Sequence, residues 1–268
     1  MKPAPFEYQR PASVDEALRL LQRPNSRPLA GGQSLGPLLN LRMAQADLLV
    51  DISKLPELKK IEQRGDALIV GAAVRHVDFE DGAVPPVLGG VLQRVARAIA
   101  YRAVRNRGTI GGSLAHADPS ADWPPVLAAL GAKIRLRGAA GSRSLDAASL
   151  ITGALQTALK PGELIEAIEI PTRELRIGHY KICRKPGDFA ESIACIALAK
   201  DGARAVISGH GLIPTVLPQT GKAAGKRDEA GLRLALAEDL RAMGAALSDY
   251  HRQLHEAGMV RAARELWS

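Results

Sequence analysis

Short apolar runs of strand length alternate with amphipathic segments of helix length as far as Pro171, and beyond it the texture changes. That alternation limits a 268-residue chain to a fold with mixed strands and helices in more than one unit. The strand-like runs are ADLLVDIS (46–53), ALIVGAA (67–73), AKIRLRG (132–138) and EAIEIP (166–171). SVDEALRLLQR (13–23) reads as a helix capped by Ser13, with Glu16 placed to complete a capping box. The segment Pro86–Gly108 reads as helical over much of its length, with Leu88, Val91, Leu92, Val95 and Ile99 on one face. After Pro171, HYKICRKPGDFAESIACIALA and ARAVISGHGLIPTVLP add strands, TGKAAGKRDEAG reads as a flexible basic surface stretch, and 232–267 is helical in period. Two α+β units follow from this layout.

Aromatic residues make up 3% of the chain, so the core must be built from Leu, Ile, Val and Ala. The same scarcity argues against binding of single-stranded nucleic acid, which uses aromatic stacking platforms. The net charge of +8 fits solvated Arg and Lys on helix faces, or an acidic partner, a nucleic acid or an anionic cofactor. Cys183 and Cys195 are too far apart for a CxxC pair and too few to hold an iron–sulfur cluster. The N-terminal residues show no apolar leader core and no run is long enough to span a bilayer, so a cytoplasmic protein is expected.

Two glycine-rich turns stand out. In RPLAGGQSLGPLLNLR (27–42), Gly31 and Gly32 allow close backbone approach, and Gln33 and Ser34 add donors. In VRNRGTIGGSLAHADPSAD (104–122), Thr109, Gly111, Gly112 and Ser113 form a second such turn. Neither is GxGxxG after a strand nor a Walker loop. Two turns of this kind can grip a pyrophosphate from opposite sides, with Asp122 accepting from a ribose or ring hydroxyl. Each is also compatible with a plain tight turn. His116 and Asp118 have the spacing of metal ligands but no third ligand nearby, so no metal is expected there. Ser34 and Ser113 lack a recognisable base, so no catalytic side chain is assigned.

AGGQSL, then TIGGSLAHADPSAD about eighty residues on, then KICRKPGDFA, resemble in order the FAD-binding medium subunits of the molybdenum hydroxylases. Carbon monoxide dehydrogenase and xanthine dehydrogenase belong to that group. The resemblance implies an FAD-binding domain of the vanillyl-alcohol-oxidase type over 1–172, with subdomains of about 1–55 and 56–172, and a smaller α+β C-terminal domain over 173–268. It implies FAD as cofactor, held by Ala30, Gly31, Gly32, Gln33, Ser34 and Leu35 and by Thr109, Gly111, Gly112 and Ser113. Ile99 would pack beside the flavin, Ile165 would make a backbone contact to it, and Asp122 matches an acidic position near it. Lys181 matches a lysine near the ring, where a cation favours the anionic reduced form. Arg184 and Asp188 fall on the same pattern, as contacts or as ordinary surface and turn residues.

The implied partners are a large subunit with the molybdenum cofactor and a small subunit with 2Fe–2S clusters, as a dimer of heterotrimers. The chain would pass electrons from those clusters through FAD to an external acceptor. The alternative is a stand-alone flavin-dependent oxidoreductase of the same fold, which should carry its own catalytic Ser or Cys with a Glu. A basic adaptor for nucleic acid would leave the glycine turns unused. Asp201–Gly231 looks short and irregular for the family, which implies a trimmed C-terminal domain.

Overall fold

The computed structural model describes residues 2–172, 174–244 and 247–268. Its first sheet is parallel and three-stranded, in the order β1 (Glu7–Gln9), β3 (Leu48–Asp51), β2 (Ser26–Leu29). Helix α1 (Val14–Leu20) connects β1 to β2, and α2 (Leu35–Asn40) connects β2 to β3. Ser13 caps α1 by accepting from the Glu16 N–H at 3.2 Å. The Glu16 carboxylate reaches one residue further back than a capping box requires and accepts from Ala12 N–H at 2.7 Å.

The second sheet is antiparallel and runs β4 (Ile61–Arg64), β5 (Ala67–Gly71), β10 (Leu164–Pro171), β6 (Lys133–Gly138), β7 (Gly141–Asp146). The crossover from β5 to β6 carries α3 (His76–Glu80), α4 (Val91–Arg97), α5 (Arg102–Arg105), α6 (Ile110–His116) and α7 (Trp123–Leu130). The ribbon β8 (Ile151–Gly153) with β9 (Gln156–Thr157) precedes β10. The third sheet is an antiparallel meander of β11 (Arg176–Ile182), β12 (Ser192–Ala199), β13 (Gly202–Gly209) and β14 (Leu212–Leu217). Helices α8 (Pro218–Ala224), α9 (Glu229–Ala242) and α10 (Asp249–Trp267) cover one of its faces.

Helix α7, WPPVLAAL, has no polar face and every residue in it is buried. Such a helix needs a partner on each side. Its side chains join one core with Ile134, Ile168 and Ile170 of the second sheet and Cys195 and Val206 of the third. The two sheets are thereby locked together across it.

Three expectations change. The segment 86–108 is not one long helix: it breaks between α4 and α5, where Ala100 has φ +43°. TGKAAGKRDEAG is largely helical and partly buried, because Thr220 donates to a buried Asp239 carboxylate at 2.7 Å and anchors α8 to α9. Asp201–Gly231 is regular rather than irregular, since it contains β13, β14 and α8.

Candidate functional site

The two glycine turns meet. A Cβ on Gly31 would lie 2.2 Å from the Arg107 carbonyl oxygen, and one on Gly111 would lie 2.5 Å from the Ala72 Cβ. Both glycines are therefore required by backbone approach between elements: Gly31 sets the first loop against the second, and Gly111 seats the second on the end of β5. Gly32 has φ +71°, a conformation open to glycine at little cost. Between the loops runs a cavity of 480 Å³, within the roughly 300–1,000 Å³ range of ligand sites.

The loops differ in what they offer. Among the described residues no acceptor takes the backbone N–H groups of Gly31, Gly32, Gln33 or Ser34, so these can turn to an anion. In the second turn Ile110 N–H donates to Val74, Gly111 N–H to Ala72, and Gly112 N–H to the Thr109 hydroxyl oxygen at 3.0 Å. That turn is stitched to its own scaffold. It presents hydroxyl protons, from Thr109 and Ser113, more than bare amides.

Every expected cofactor residue except Lys181 lines the cavity: Ala30 to Leu35, Ile99, Thr109, Gly111, Gly112, Ser113, Asp122 and Ile165. Lys181, on the edge strand β11 of the third sheet, pairs with Asp122. Its ammonium lies 2.9 Å from Oδ1 and 3.1 Å from Oδ2 of that carboxylate and donates to the Ala98 carbonyl at 3.2 Å. Both side chains are 7% exposed. Burial, opposed by Lys181, pushes the Asp122 carboxyl up to about 6. Oδ1 is within ion-pair reach of Lys181 but has no hydrogen bond of acceptable geometry.

Ile99 and Ala100 form a corner that Arg105 holds from behind. Its guanidinium donates to both carbonyls, at 2.9 and 3.1 Å, and pairs with Glu80 at 2.7 Å. Gly187 (φ +83°) presses on the same corner, since a Cβ there would be 2.3 Å from the Ala100 carbonyl oxygen. This brings Asp188 and the exposed Phe189 onto the cavity rim. Ile165 lies at a β-bulge in β10, a feature that re-aims the strand next to sites.

Sequence reasoning missed His76. Its Nδ1 accepts from Trp123 Nε1 at 3.1 Å, and its ring lines the cavity beside Gly108. Burial, with Arg105 adding, pushes it down to about 4, so it is neutral and carries its proton on Nε2. No spacing signal marks it, because the bond to Trp123 spans 47 residues. His116 also lines the cavity, Asp118 accepts from Ser120 N–H at 2.8 Å, and Arg184 is exposed and pairs with Glu191 at 3.1 Å.

Comparison with known proteins agrees with this geometry. Residues 4–173 match the family described as FAD binding domain in molybdopterin dehydrogenase. The glyceraldehyde dehydrogenase medium chain of Sulfolobus acidocaldarius is 39% identical over 201 residues, covering 74% of this chain and 71% of its own. The carbon monoxide dehydrogenase medium chain of Afipia carboxidovorans is 36% identical over 221 residues, covering 79% and 75%. Among solved structures, quinoline 2-oxidoreductase from Pseudomonas putida 86 superposes with a TM-score of 0.87 at 32% identity, covering 100% of this chain and 97% of that one. A Cu,Mo-CO dehydrogenase chain superposes with a TM-score of 0.90 at 30% identity, covering 99% and 100%.

Proposed function

The chain belongs to the family of FAD-binding domains in molybdopterin dehydrogenases, and from that premise we propose that it relays electrons from the iron–sulfur clusters of a partner subunit to an external acceptor. The chain is a medium, FAD-binding subunit of the molybdenum hydroxylase type. Its partners in this reading are a large molybdenum-cofactor subunit and a small 2Fe–2S subunit, assembled as a dimer of heterotrimers in the cytoplasm. No helix among the described residues is long and apolar enough to cross a membrane.

One observation carries the proposal: two glycine turns forced into contact around a single cavity, one with four unclaimed amides and the other with two hydroxyls. The residues fit FAD. Gly31 to Ser34 would take phosphate oxygens from one side, and Thr109 and Ser113 from the other. Asp122, which lines the cavity, would accept from a hydroxyl of the cofactor. Lys181 would act through Asp122, holding the carboxylate in place. Ile99, Ala100 and Ile165 would supply the apolar wall for a ring system. FAD, when bound, supplies the redox chemistry, so no side-chain acid or base is required.

A stand-alone flavoenzyme would need its own catalytic Ser or Cys with a Glu, and neither Cys183 nor Cys195 lines the cavity. Cys195 is fully buried with its thiol pushed up to about 12, which leaves it inert.

The test is an absorption spectrum of the purified chain, with the cofactor released by heat and identified. One FAD per chain is expected, and weaker retention in Asp122→Ala. A colourless protein that takes up no added FAD refutes the proposal. Co-purification of a larger and a smaller subunit, and bleaching of the flavin by the reduced small subunit, test the relay.

A further inference from the structure

The far end of the C-terminal sheet gathers three ligand-type side chains that the flavin cavity does not use. Glu191 ends the β11–β12 connection, His210 sits in the turn between β13 and β14, and His251 lies in the first turn of α10. Glu191 Oε2 is 3.8 Å from His210 Nδ1 and 3.8 Å from His251 Nε2. One ligand atom of each residue lies within 4.8 Å of the other two. These separations are too long for hydrogen bonds. They are close to the roughly 3.4 Å that separates two ligands each about 2.1 Å from a shared tetrahedral ion.

We propose that Glu191, His210 and His251 form a binding site for a divalent transition-metal cation of the zinc class. Two imidazoles and a carboxylate are a ligand set suited to such ions, with the remaining position left to water. The surroundings orient the set. Arg184 Nε donates to Glu191 Oε1 at 3.1 Å, which leaves Oε2 for the ion, and that guanidinium is largely solvated. The hydroxyl of Ser248 is 2.7 Å from His251 Nδ1. With the proton on Nδ1 donated to Ser248, the Nε2 lone pair faces Glu191, the arrangement usual for metal-bound histidine.

His210 is held where it is at a cost. It has φ +48°, a region disfavoured for a residue with a Cβ. The adjoining Gly209 packs its backbone on Glu191, since a Cβ there would be 2.8 Å from the Glu191 carbonyl oxygen. A non-glycine residue kept in such a turn is a pointer to a role. The rings of His210 and His251 lie face to face, with centroids 3.3 Å apart. The exposed His210 ring must therefore turn for both lone pairs to meet one ion. One turn further along α10, His255 is fully buried with Nδ1 2.8 Å from Ser192 Oγ and Nε2 without a partner. A bound ion would tie α10 to the ends of β12 and β13. The three ligands are scattered over sixty residues of sequence, so no spacing announces them.

The experiment uses the full chain without a histidine tag, stripped with chelator and dialysed against Zn²⁺, then analysed for metal by mass spectrometry. Co²⁺ in place of Zn²⁺ gives a second readout in its visible d–d bands. One ion per chain is expected. Glu191→Gln and His210→Ala should each weaken binding by more than tenfold, and Ser248→Ala by about tenfold. FAD content of each variant reports that it has folded, and His210, on an exposed turn, is the substitution the fold tolerates best. Metal retained equally in His210→Ala and Glu191→Gln overturns the proposal. So does retention no higher than that of a non-metal control protein, which would leave the cluster as a histidine–carboxylate ion pair only.

Discussion

Replacing Lys181 by Met should destabilise the apoprotein by an amount that grows with pH. The substitution keeps the length of the stem but leaves Asp122 buried with no cation. In the wild type the Asp122 carboxyl stands at about 6. Well above pH 6 it is ionised in both the folded and unfolded chain, and its pH dependence fades there. Without Lys181 burial acts unopposed, and the rise of roughly 3–5 units open to a fully buried carboxyl keeps the folded group protonated through much of the range from pH 6 to pH 8, while the unfolded one ionises near 3.8. The folded state then binds one more proton than the unfolded state, so stability falls as pH rises. The slope is about 1.4 kcal/mol per pH unit, or about 3 kcal/mol accumulated between pH 6 and pH 8. That total meets the lower end of the roughly 3–5 kcal/mol found when one member of a buried ion pair is removed. The assay is urea unfolding of FAD-free protein at pH 6, 7 and 8, followed by fluorescence of the buried Trp123, always as a difference from wild type. Asp122→Asn in the Lys181→Met background should abolish the extra slope. A destabilisation equal at all three pH values would refute the reasoning, because it would mean that the Asp122 carboxylate is not the group in distress.

Gly31→Ala should push the two turns apart and cost about 1–3 kcal/mol as an overpacked contact, since its Cβ would lie 2.2 Å from a carbonyl oxygen; FAD occupancy measured by absorbance should fall with it. Gly36→Ala, which has open space, is the matched control and should leave occupancy unchanged. Arg105→Ala should weaken FAD affinity by loosening the Ile99–Ala100 corner, and Arg105→Lys should not restore it, because one ammonium cannot serve Glu80 and two carbonyls in the same fork. His76 and His179 are each pushed down by burial to about 4 from an ordinary 6.5. Their contribution is present above pH 6.5 and lost as pH falls through 4, about 3 kcal/mol for each; unfolding midpoints that stay flat from pH 6.5 to 4 would contradict that.

The sequence made β3, β5, β6 and β10 legible because each is a short apolar run, and the glycine turns because they are compositionally abrupt, whereas the polar or exposed β1, β2, β4 and β7 gave no such signal. All thirteen of the expected residues that line the cavity came from those turns or from the family pattern. What escaped was set by distance in sequence. Helical period continues through Ile99 and Ala100, yet the chain breaks there, since Arg105, Glu80 and Gly187 fix the corner from three other places. TGKAAGKRDEAG looks soluble and loose residue by residue, but Asp239 on a later helix captures Thr220 and buries it. The family pattern points Lys181 at the ring, and only the tertiary structure shows it facing Asp122.

The pairing of those two residues bears on how such a subunit holds its cofactor. A lone buried lysine or aspartate beside the cavity would be costly before any ligand arrived. Together they leave a site that is nearly neutral but polarisable, with one carboxylate oxygen still short of a hydrogen bond. The charge complement to phosphate lies elsewhere, in the uncharged amides of Gly31 to Ser34, where no counterion has to be displaced. In the proposed function the backbone loop fixed by β2 and the Arg107 carbonyl would meet the phosphates, and the side-chain pair fixed by α7 and β11 would lie apart from it on the cavity wall. Substitutions in the first should alter how tightly FAD is held without changing its redox potential. Substitutions in the second should shift the potential as well, and potentiometric titration of Gly31→Ala against Lys181→Met, each saturated with FAD, separates the two; an equal shift in both variants would show that the site responds as one unit.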